Sequence, residues 1–195
     1  MKTLLASFLL AVTTQAESFQ IAPAANTRFA LTVEKTGLMR GKKHLFLFEK
    51  YQGQLEFDPK APENSRIDLT IDSRSFVCKD DWVDAGDLKK IEKTALDDML
   101  AVNRYPSMTF RSTAIKALPS NRYEAQGTLT IRGIAKPVVV AVTLDLSNPA
   151  SLKLDGSATI KLSDYNLKPP SAILGTIGTK NEMTLNFSIV ATRSN

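Results

Sequence analysis

Alternation of apolar and polar residues with a period of two runs through this sequence and restricts the chain to a fold built mainly of strands. The clearest example is YEAQGTLTIRGIAKPVVVAVTLDL, residues 123–146. Residues two positions apart point to the same face of a strand. Each half therefore has one apolar face, formed by Tyr123, Ala125, Leu129 and Ile131 and by Val138, Val140, Val142, Leu144 and Leu146. The pattern predicts a hairpin whose second strand starts at Pro137, since proline cannot donate to a ladder.

The same alternation predicts strands elsewhere along the chain. Phe29 and Leu31 share a face, as do Phe46 and Phe48, whereas Tyr51 begins a stretch of opposite parity. A bulge between Phe48 and Tyr51 would bring both parts onto one face. Further apolar faces occur at 55–57, 67–71, 108–110, 157–162 and 183–191.

One segment has helical periodicity instead. Leu88, Ile91, Ala95 and Met99 repeat at intervals of three or four, and Asp84 is placed to cap the helix. Many short strands with one helix predict an all-β fold, either a barrel or a sandwich. A barrel of about eight strands can hold one small ligand, and the helix is expected to cap an end or line the mouth.

The first 16 residues, MKTLLASFLLAVTTQA, have the features of a secretory signal peptide. Lys2 precedes an apolar run over 4–12, which is far shorter than the roughly 20 residues that span a bilayer. We therefore predict a signal peptide over 1–16, a single domain over 17–195, and a periplasmic or secreted location. Removal of residues 1–16 lowers the net charge from +5 to +4, since Lys2 is the only charged residue of this segment.

The positive charge makes an anionic membrane surface or an anionic head group a candidate partner. Nucleic acid is not expected, because no basic run with interleaved aromatic residues is present. The single cysteine, Cys78, cannot form an intrachain disulfide and is expected to be a buried small hydrophobe. The sequence leaves a homodimer open.

His44 is the only histidine. No cluster of residues at metal-ligand spacing and no nucleophile motif accompanies it. The sequence therefore predicts no metal site, no cofactor and no enzymatic activity. His44 is expected to make a structural hydrogen bond or to contact a ligand.

Two loop segments have alternative interpretations. Arg40, Lys42 and Lys43 form either a solvated turn or a guide for an anionic group. Ile173 and its neighbours, in SAILGTIGTK, either pack into the core or form a lid over a pocket mouth.

Three stretches resemble the YceI-like family of exported polyisoprenoid-binding proteins. They are KKHLFLFEKYQGQLEFDP at 42–59, YPSMTFRSTAI at 105–115 and GTLTIRGIAKPVVVAV at 127–142. The resemblance implies an antiparallel eight-stranded lipocalin-like β-barrel that encloses an apolar cavity for an isoprenoid chain or a similar amphiphile. The chain departs from the commoner family pattern at 78–100 and at 165–180, and both stretches are expected near the pocket entrance.

The predicted function is therefore export and binding of an amphiphilic lipid of the polyprenyl phosphate, quinone or fatty amide type, for transport, storage or scavenging. The predicted ligand-binding residues are Phe29, Leu31, His44, Phe46, Phe48, Tyr51, Phe57, Trp82, Met99, Phe110, Leu129, Ile131, Val138, Val140, Ile173 and Phe187. Arg40, Lys42 and Lys43 are predicted to contact the head group. The alternatives are a protein-binding or inhibitory module without a cavity, and an enzyme with His44 as its base.

Overall fold

Twelve strands form one antiparallel sheet in the computed structural model, which describes residues 16–194. The predicted signal peptide lies outside the described residues except for Ala16. The strands are β1 (Glu17–Ile21), β2 (Arg28–Gly37), β3 (Lys43–Phe48), β4 (Tyr51–Phe57), β5 (Arg66–Asp72), β6 (Phe76–Cys78), β7 (Ser107–Leu118), β8 (Arg122–Ile131), β9 (Ile134–Asp145), β10 (Ser151–Lys161), β11 (Ser171–Ala172) and β12 (Ile177–Arg193). No helix among the described residues is long and apolar enough to cross a bilayer.

The sheet closes into a barrel because β1 pairs with both β4 and β12. Three of the long strands are interrupted: β2 continues the line of β1, β4 that of β3, and β6 that of β5. With these pairs taken as single strands, the ring has eight members. The predicted eight-stranded antiparallel barrel with one helix is confirmed.

The interruption between β3 and β4 brings the residues on both sides of it onto one face, as was expected of the predicted bulge. Residues 49 and 50 leave the ladder, and the backbone N–H of Glu49 donates to the carbonyl of Ser75 at 3.1 Å. Phe48 before the break and Tyr51 after it are both buried. The two-residue step therefore keeps one apolar face inside the barrel.

The predicted hairpin forms from β8 and β9, but its turn is shorter than expected. Only Arg132 and Gly133 connect the strands, with φ values of 52° and 74°, as two-residue hairpin turns require. The second strand therefore starts at Ile134, and the prediction that it starts at Pro137 was wrong. Pro137 is tolerated because pairing of β9 with β10 reaches only to Ala141, so its missing N–H faces an unpaired edge.

The helix α1 (Ala85–Lys93) continues into a wider π-helical turn, Thr94–Met99, and crosses one end of the barrel. Asp84 caps it as predicted, because its Oδ1 accepts a hydrogen bond from the backbone N–H of Asp87 at 2.9 Å. Glu92 attaches the helix to the barrel by accepting from the backbone N–H of Cys78 at 2.8 Å. The apolar stripe of the helix therefore faces the barrel opening.

Two glycines make room for aromatic rings inside the barrel. Gly156 on β10 lies opposite Phe187 on β12, and a Cβ there would overlap the Phe187 ring. Gly127 on β8 similarly receives the ring of Phe110. Because glycine has no side chain, both rings can lie flat against the barrel wall.

Candidate functional site

A cavity of about 330 Å³ occupies the helix end of the barrel, within the range of about 300–1,000 Å³ that is typical of small-molecule sites. We call it the chamber. The chamber is lined by Phe29, Leu31, Val33, Lys35, His44, Phe46, Phe48, Ile71, Phe76, Lys90, Ile91, Thr94, Ala95, Met99, Leu100, Met108, Leu129, Ile131, Ile160, Leu162, Tyr165, Leu167, Pro170, Ser171, Ala172, Thr179, Met183 and Leu185. Most of these side chains are apolar, so the chamber suits the hydrocarbon part of a ligand.

Half of the predicted ligand-binding residues line the chamber. They are Phe29, Leu31, His44, Phe46, Phe48, Met99, Leu129 and Ile131. The stretches at 78–100 and 165–180 also contribute lining residues, among them Ile91 and Leu167. Both stretches therefore take part in the chamber wall, and their expected position near its entrance stays a prediction.

Deeper in the barrel, the interior is nearly filled. Phe110, Val138, Val140 and Phe187 line a void of about 50 Å³, and Phe57 lines one of about 20 Å³ near the far end. Tyr51 lines none of these spaces and is a core residue whose hydroxyl donates to Thr27 Oγ1 at 2.9 Å.

Aromatic rings pack where the chamber meets the deeper void, and Phe29 lines both spaces. The rings of Phe29 and Phe187 are nearly parallel with centroids 5.9 Å apart, and Phe29 also contacts Tyr51 at 5.6 Å. The hollow part of the barrel is therefore concentrated at the helix end.

Trp82 and Ile173 lie outside the chamber lining. The Trp82 indole N–H donates to the carbonyl of Lys43 at 3.0 Å, and its ring packs on His44 with centroids 5.3 Å apart. Ile173 is 66% exposed at the tip of a turn, because the turn between β11 and β12 projects it away from the barrel. It therefore does not pack into the core, which was one of the two expectations for this segment, and the other, a lid over the pocket mouth, stays a prediction.

The charged residues in the chamber lining are Lys35 and Lys90, and both are basic. The predicted head-group residues, Arg40, Lys42 and Lys43, are exposed and outside this lining. Sequence reasoning missed Lys35 because it is charged. Its parity matched that of the inward residues of β2, since it follows Phe29, Leu31 and Val33 at intervals of two.

Burial lowers the pKa of Lys35, while the nearby carboxylate of Asp80 acts in the opposite direction. The side chain therefore places a partly desolvated ammonium group beside apolar surface. Such a group gains from an anionic partner that reaches the same place. Lys90 is largely exposed and pairs with Asp87 at 3.0 Å, so Lys35 is the lining cation that has no ion-pair partner among residues 16–194.

His44 and Asp80 form a buried pair beside the chamber. His44 Nδ1 donates to Asp80 Oδ2 at 2.5 Å, and Asp80 Oδ1 accepts from the backbone N–H of Leu45 at 2.7 Å. The other nitrogen of His44, Nε2, has no hydrogen-bond partner among residues 16–194. The expected structural hydrogen bond of His44 is present, and its ring also lines the chamber.

Cys78 lies next to this pair, and the ligand atoms of His44, Cys78 and Asp80 are within 4.8 Å of one another. The three residue types are those that bind zinc, although the sequence spacing did not suggest such a group. Within this trio, His44 and Asp80 are joined by a hydrogen bond.

Burial raises the pKa of the Cys78 thiol to about 12, and the nearby carboxylate of Asp80 adds to the effect. We expect the native protein at about pH 8 to resist iodoacetamide, because only the thiolate reacts readily. Protein unfolded in urea should be alkylated within minutes, as mass spectrometry would detect. Equal reaction of the native and unfolded protein would contradict the neutral, buried thiol.

The profile of the YceI-like domain matches residues 19–191 of the chain. A UPF0312 protein of Pseudomonas aeruginosa strain LESB58 is 30% identical over 126 residues, and one of Ectopseudomonas mendocina is 27% identical over 125. Each alignment covers 62% of this chain and 62% of the relative. The chain therefore matches less than two thirds of the length of these relatives.

Solved structures with the same architecture include BcnA of Burkholderia cenocepacia. It is 28% identical, the match covers 84% of this chain and 96% of BcnA, and the TM-score is 0.64. A polyisoprenoid-binding domain from Saccharophagus degradans has a TM-score of 0.63 with 11% identity, over 93% of this chain and all of that domain. At that identity the second likeness concerns the fold alone.

Proposed function

The chain belongs to the YceI-like domain family, and from this premise we propose that it binds an isoprenoid or similar amphiphile, with the apolar tail inside the barrel. The observation that carries the proposal is the chamber at the helix end, whose wall is largely apolar. The neighbour of the same fold from Saccharophagus degradans is a polyisoprenoid-binding domain, which supports the same ligand class.

Burial of hydrocarbon contributes about 25 cal/mol for each Å² removed from water. A bilayer offers an isoprenoid tail almost the same gain, so selectivity over the membrane depends on shape and on the head group. Lys35 and Lys90 are the charged groups that line the chamber. We therefore propose an acidic head group, such as a phosphate, as the preferred polar end of the ligand.

Lys35→Met is expected to weaken binding of farnesyl phosphate by about tenfold or more while leaving farnesol nearly unchanged, since a charge-assisted hydrogen bond is lost only from the phosphate. Isothermal titration with both compounds measures the effect. Lys43→Met is the matched control, because it removes the same charge from an exposed residue outside the chamber. Equal losses for both ligands would reject the head-group role of Lys35.

The same variant should be more stable than the parent at neutral pH. Because burial lowers the pKa of Lys35 below its usual 10.5, the folded parent disfavours the charged form. Its stability therefore rises with pH between the lowered pKa and 10.5. Lys35→Met removes this cost, and urea unfolding at neutral and alkaline pH should show a gain that shrinks as the pH rises.

Native mass spectrometry of protein isolated from its own cells tests the proposed ligand class. A co-purifying polyprenyl phosphate, quinone or fatty amide would support it. Repeated purification without any lipid, together with no uptake of farnesyl phosphate or farnesol, would favour the alternative of a protein-binding module. A homodimer stays a prediction, which sedimentation of the same sample would check.

We propose binding without catalysis. The His44–Asp80 pair resembles the base and its orienting carboxylate in hydrolases, but the adjacent Cys78 thiol is held neutral by burial. Export for transport, storage or scavenging is part of the proposal and rests on the signal-peptide features of residues 1–16. A mature protein that begins at Glu17 in the periplasm or medium is the expected finding, whereas an intact Met1 in the cytoplasm would oppose export.

A further inference from the structure

Two apolar loop tips lie side by side near the mouth of the chamber. One is Leu38, in the loop between β2 and β3, and the other is Ile173 with Leu174, in the turn between β11 and β12. Leu38 is 77% exposed and Leu174 fully exposed. The backbone N–H of Leu38 donates to the carbonyl of Thr176 at 3.1 Å, so the two tips are joined and present one surface.

Glycine makes this close approach possible. A Cβ at Gly37 would overlap the carbonyl oxygen of Thr176, and Gly37 also has a φ of 66°. The two loops are thus fixed against each other by backbone contacts. The position of the apolar tips is therefore fixed by the backbone of the two loops.

The turn that carries Ile173 and Leu174 uses unusual residues. Their φ values are 49° and 52°, in the left-handed region where glycine, asparagine and aspartate are favoured. An isoleucine there is an outlier because of its branched Cβ. Exposed apolar side chains in a strained turn indicate that these residues contact a partner that is absent from the isolated protein.

The surroundings of the tips are basic. Arg40, Lys42 and Lys168 are exposed, and none has an ion-pair partner within the part of the chain that the structure describes. Glu34, the acid nearest in β2, is already neutralised by Lys43 and Lys180. The Lys42 ammonium lies over the Trp82 ring, 5.6 Å from its centroid, which leaves its charge without an acidic partner among the described residues. An apolar surface bordered by such cations is complementary to a bilayer that contains anionic lipid.

The tips also continue directly from the wall of the chamber. Pro170, Ser171 and Ala172 line the chamber and lead into Ile173, and Lys35 lines it three positions before Leu38. A surface that seats the tips on a membrane therefore brings the chamber opening to the lipid.

We propose that Leu38, Ile173 and Leu174 insert into the surface of an anionic bilayer, with Arg40, Lys42 and Lys168 on its head groups, so that the chamber opens toward the membrane. The inference rests on the proposed function, because an amphiphile is then exchanged without exposing its tail to water. Each inserted leucine and each cation near the surface should raise vesicle partitioning, by about tenfold and about fivefold respectively.

Vesicles of equimolar phosphatidylcholine and phosphatidylglycerol test the proposal by co-sedimentation. The parent protein should bind them and should bind pure phosphatidylcholine vesicles much more weakly. Leu38→Ser combined with Leu174→Ser should lower the partition coefficient about 100-fold. Arg40→Ala combined with Lys42→Ala should lower it about 25-fold on the anionic vesicles alone.

Val139→Ser is the matched control, since Val139 is an exposed apolar residue, 53% accessible, on β9. It should leave partitioning unchanged. A polarity-sensitive dye on the thiol of Leu174→Cys should shift to shorter wavelength on the anionic vesicles. Selective labelling is feasible because Cys78 is buried.

The outcomes separate this inference from the proposed function. If the parent retains farnesyl phosphate but does not bind anionic vesicles, the membrane inference is wrong and the ligand proposal stands. If the tip variants bind vesicles like the parent, the insertion is also wrong. A third outcome is that the parent does not bind vesicles but sediments as a dimer, and that Leu38→Ser combined with Leu174→Ser makes it a monomer. In that case the membrane inference is wrong and the tips contact a second copy of the chain.

Discussion

Replacing Asp80 by alanine is expected to lower the free energy of unfolding by about 3 to 5 kcal/mol, the range observed when one partner of a buried pair is removed. The Asp80 side chain has no exposed surface, and it accepts hydrogen bonds from His44 and from the backbone of Leu45. The substitution leaves both donors without an acceptor in a site from which water is excluded.

Urea unfolding followed by circular dichroism measures this loss. Asp81→Ala is the matched control, because Asp81 is the exposed neighbour and should change stability by no more than about 0.5 kcal/mol. In a double-mutant cycle with His44→Ala, the losses should be strongly non-additive. A loss below about 1 kcal/mol for Asp80→Ala, or full additivity, would show that the pair is not important for stability.

Filling the chamber should weaken ligand binding strongly without harming the fold. Ala95 lines the chamber from the π-helical turn, and Ala95→Trp would place an indole in the space that the tail needs. Excluding about 110 Å² of hydrocarbon from the wall corresponds to a loss of roughly 100-fold in affinity. Titration with farnesol, which has no acidic group, isolates this effect from that of Lys35.

Lys89→Trp is the matched control for the chamber experiment, because Lys89 is exposed on the same helix and does not line the chamber. It should bind farnesol like the parent. Ala95→Trp should unfold at a urea concentration close to that of the parent, which would separate blockage from misfolding. Unchanged farnesol affinity in a folded Ala95→Trp protein would place the ligand outside the chamber.

The strand faces could be predicted from sequence because barrel strands obey a simple rule: alternate residues face inward. That rule found Phe29, Leu31, Phe46 and Phe48, and it found the break before Tyr51. It failed where the residue type overrode the parity, as at Lys35. A charged side chain at an inward position is unfavourable unless a group inside the cavity interacts with the charge, so sequence reasoning assigns such a residue to the outer face.

The pairing of His44 with Asp80 could not be predicted, since 36 positions separate them. Their contact depends on the register of β3 with β6, in which Phe46 lies opposite Cys78. Sequence patterns give the face of a residue but not its neighbour on the next strand. Closeness in sequence was likewise a poor guide to the chamber lining, since Lys42 is two positions from His44 and lies outside it. The head-group contact of Arg40, Lys42 and Lys43 stays a prediction.

The filling of the deep barrel also escaped prediction, because it depends on cross-strand partners. Phe187 alternates like any inward residue, and only the register with Gly156 shows that its ring lies against a wall without a side chain. Parity alone gives the inward face of each strand and not the volume left between opposite walls. The structure divides the interior into a wide part and a nearly solid part.

The ring of Phe187, which lies against Gly156, limits the depth of the cavity inside the barrel. A chain that enters from the helix end meets the Phe29–Phe187 stack well before the last residues of β12. In the proposed complex, the positions of these two rings, and not the length of the strands, would limit how much of the ligand chain fits inside the barrel. Relatives that have the same strands but a different residue at the position of Phe187 or of Gly156 would accept ligand chains of a different length.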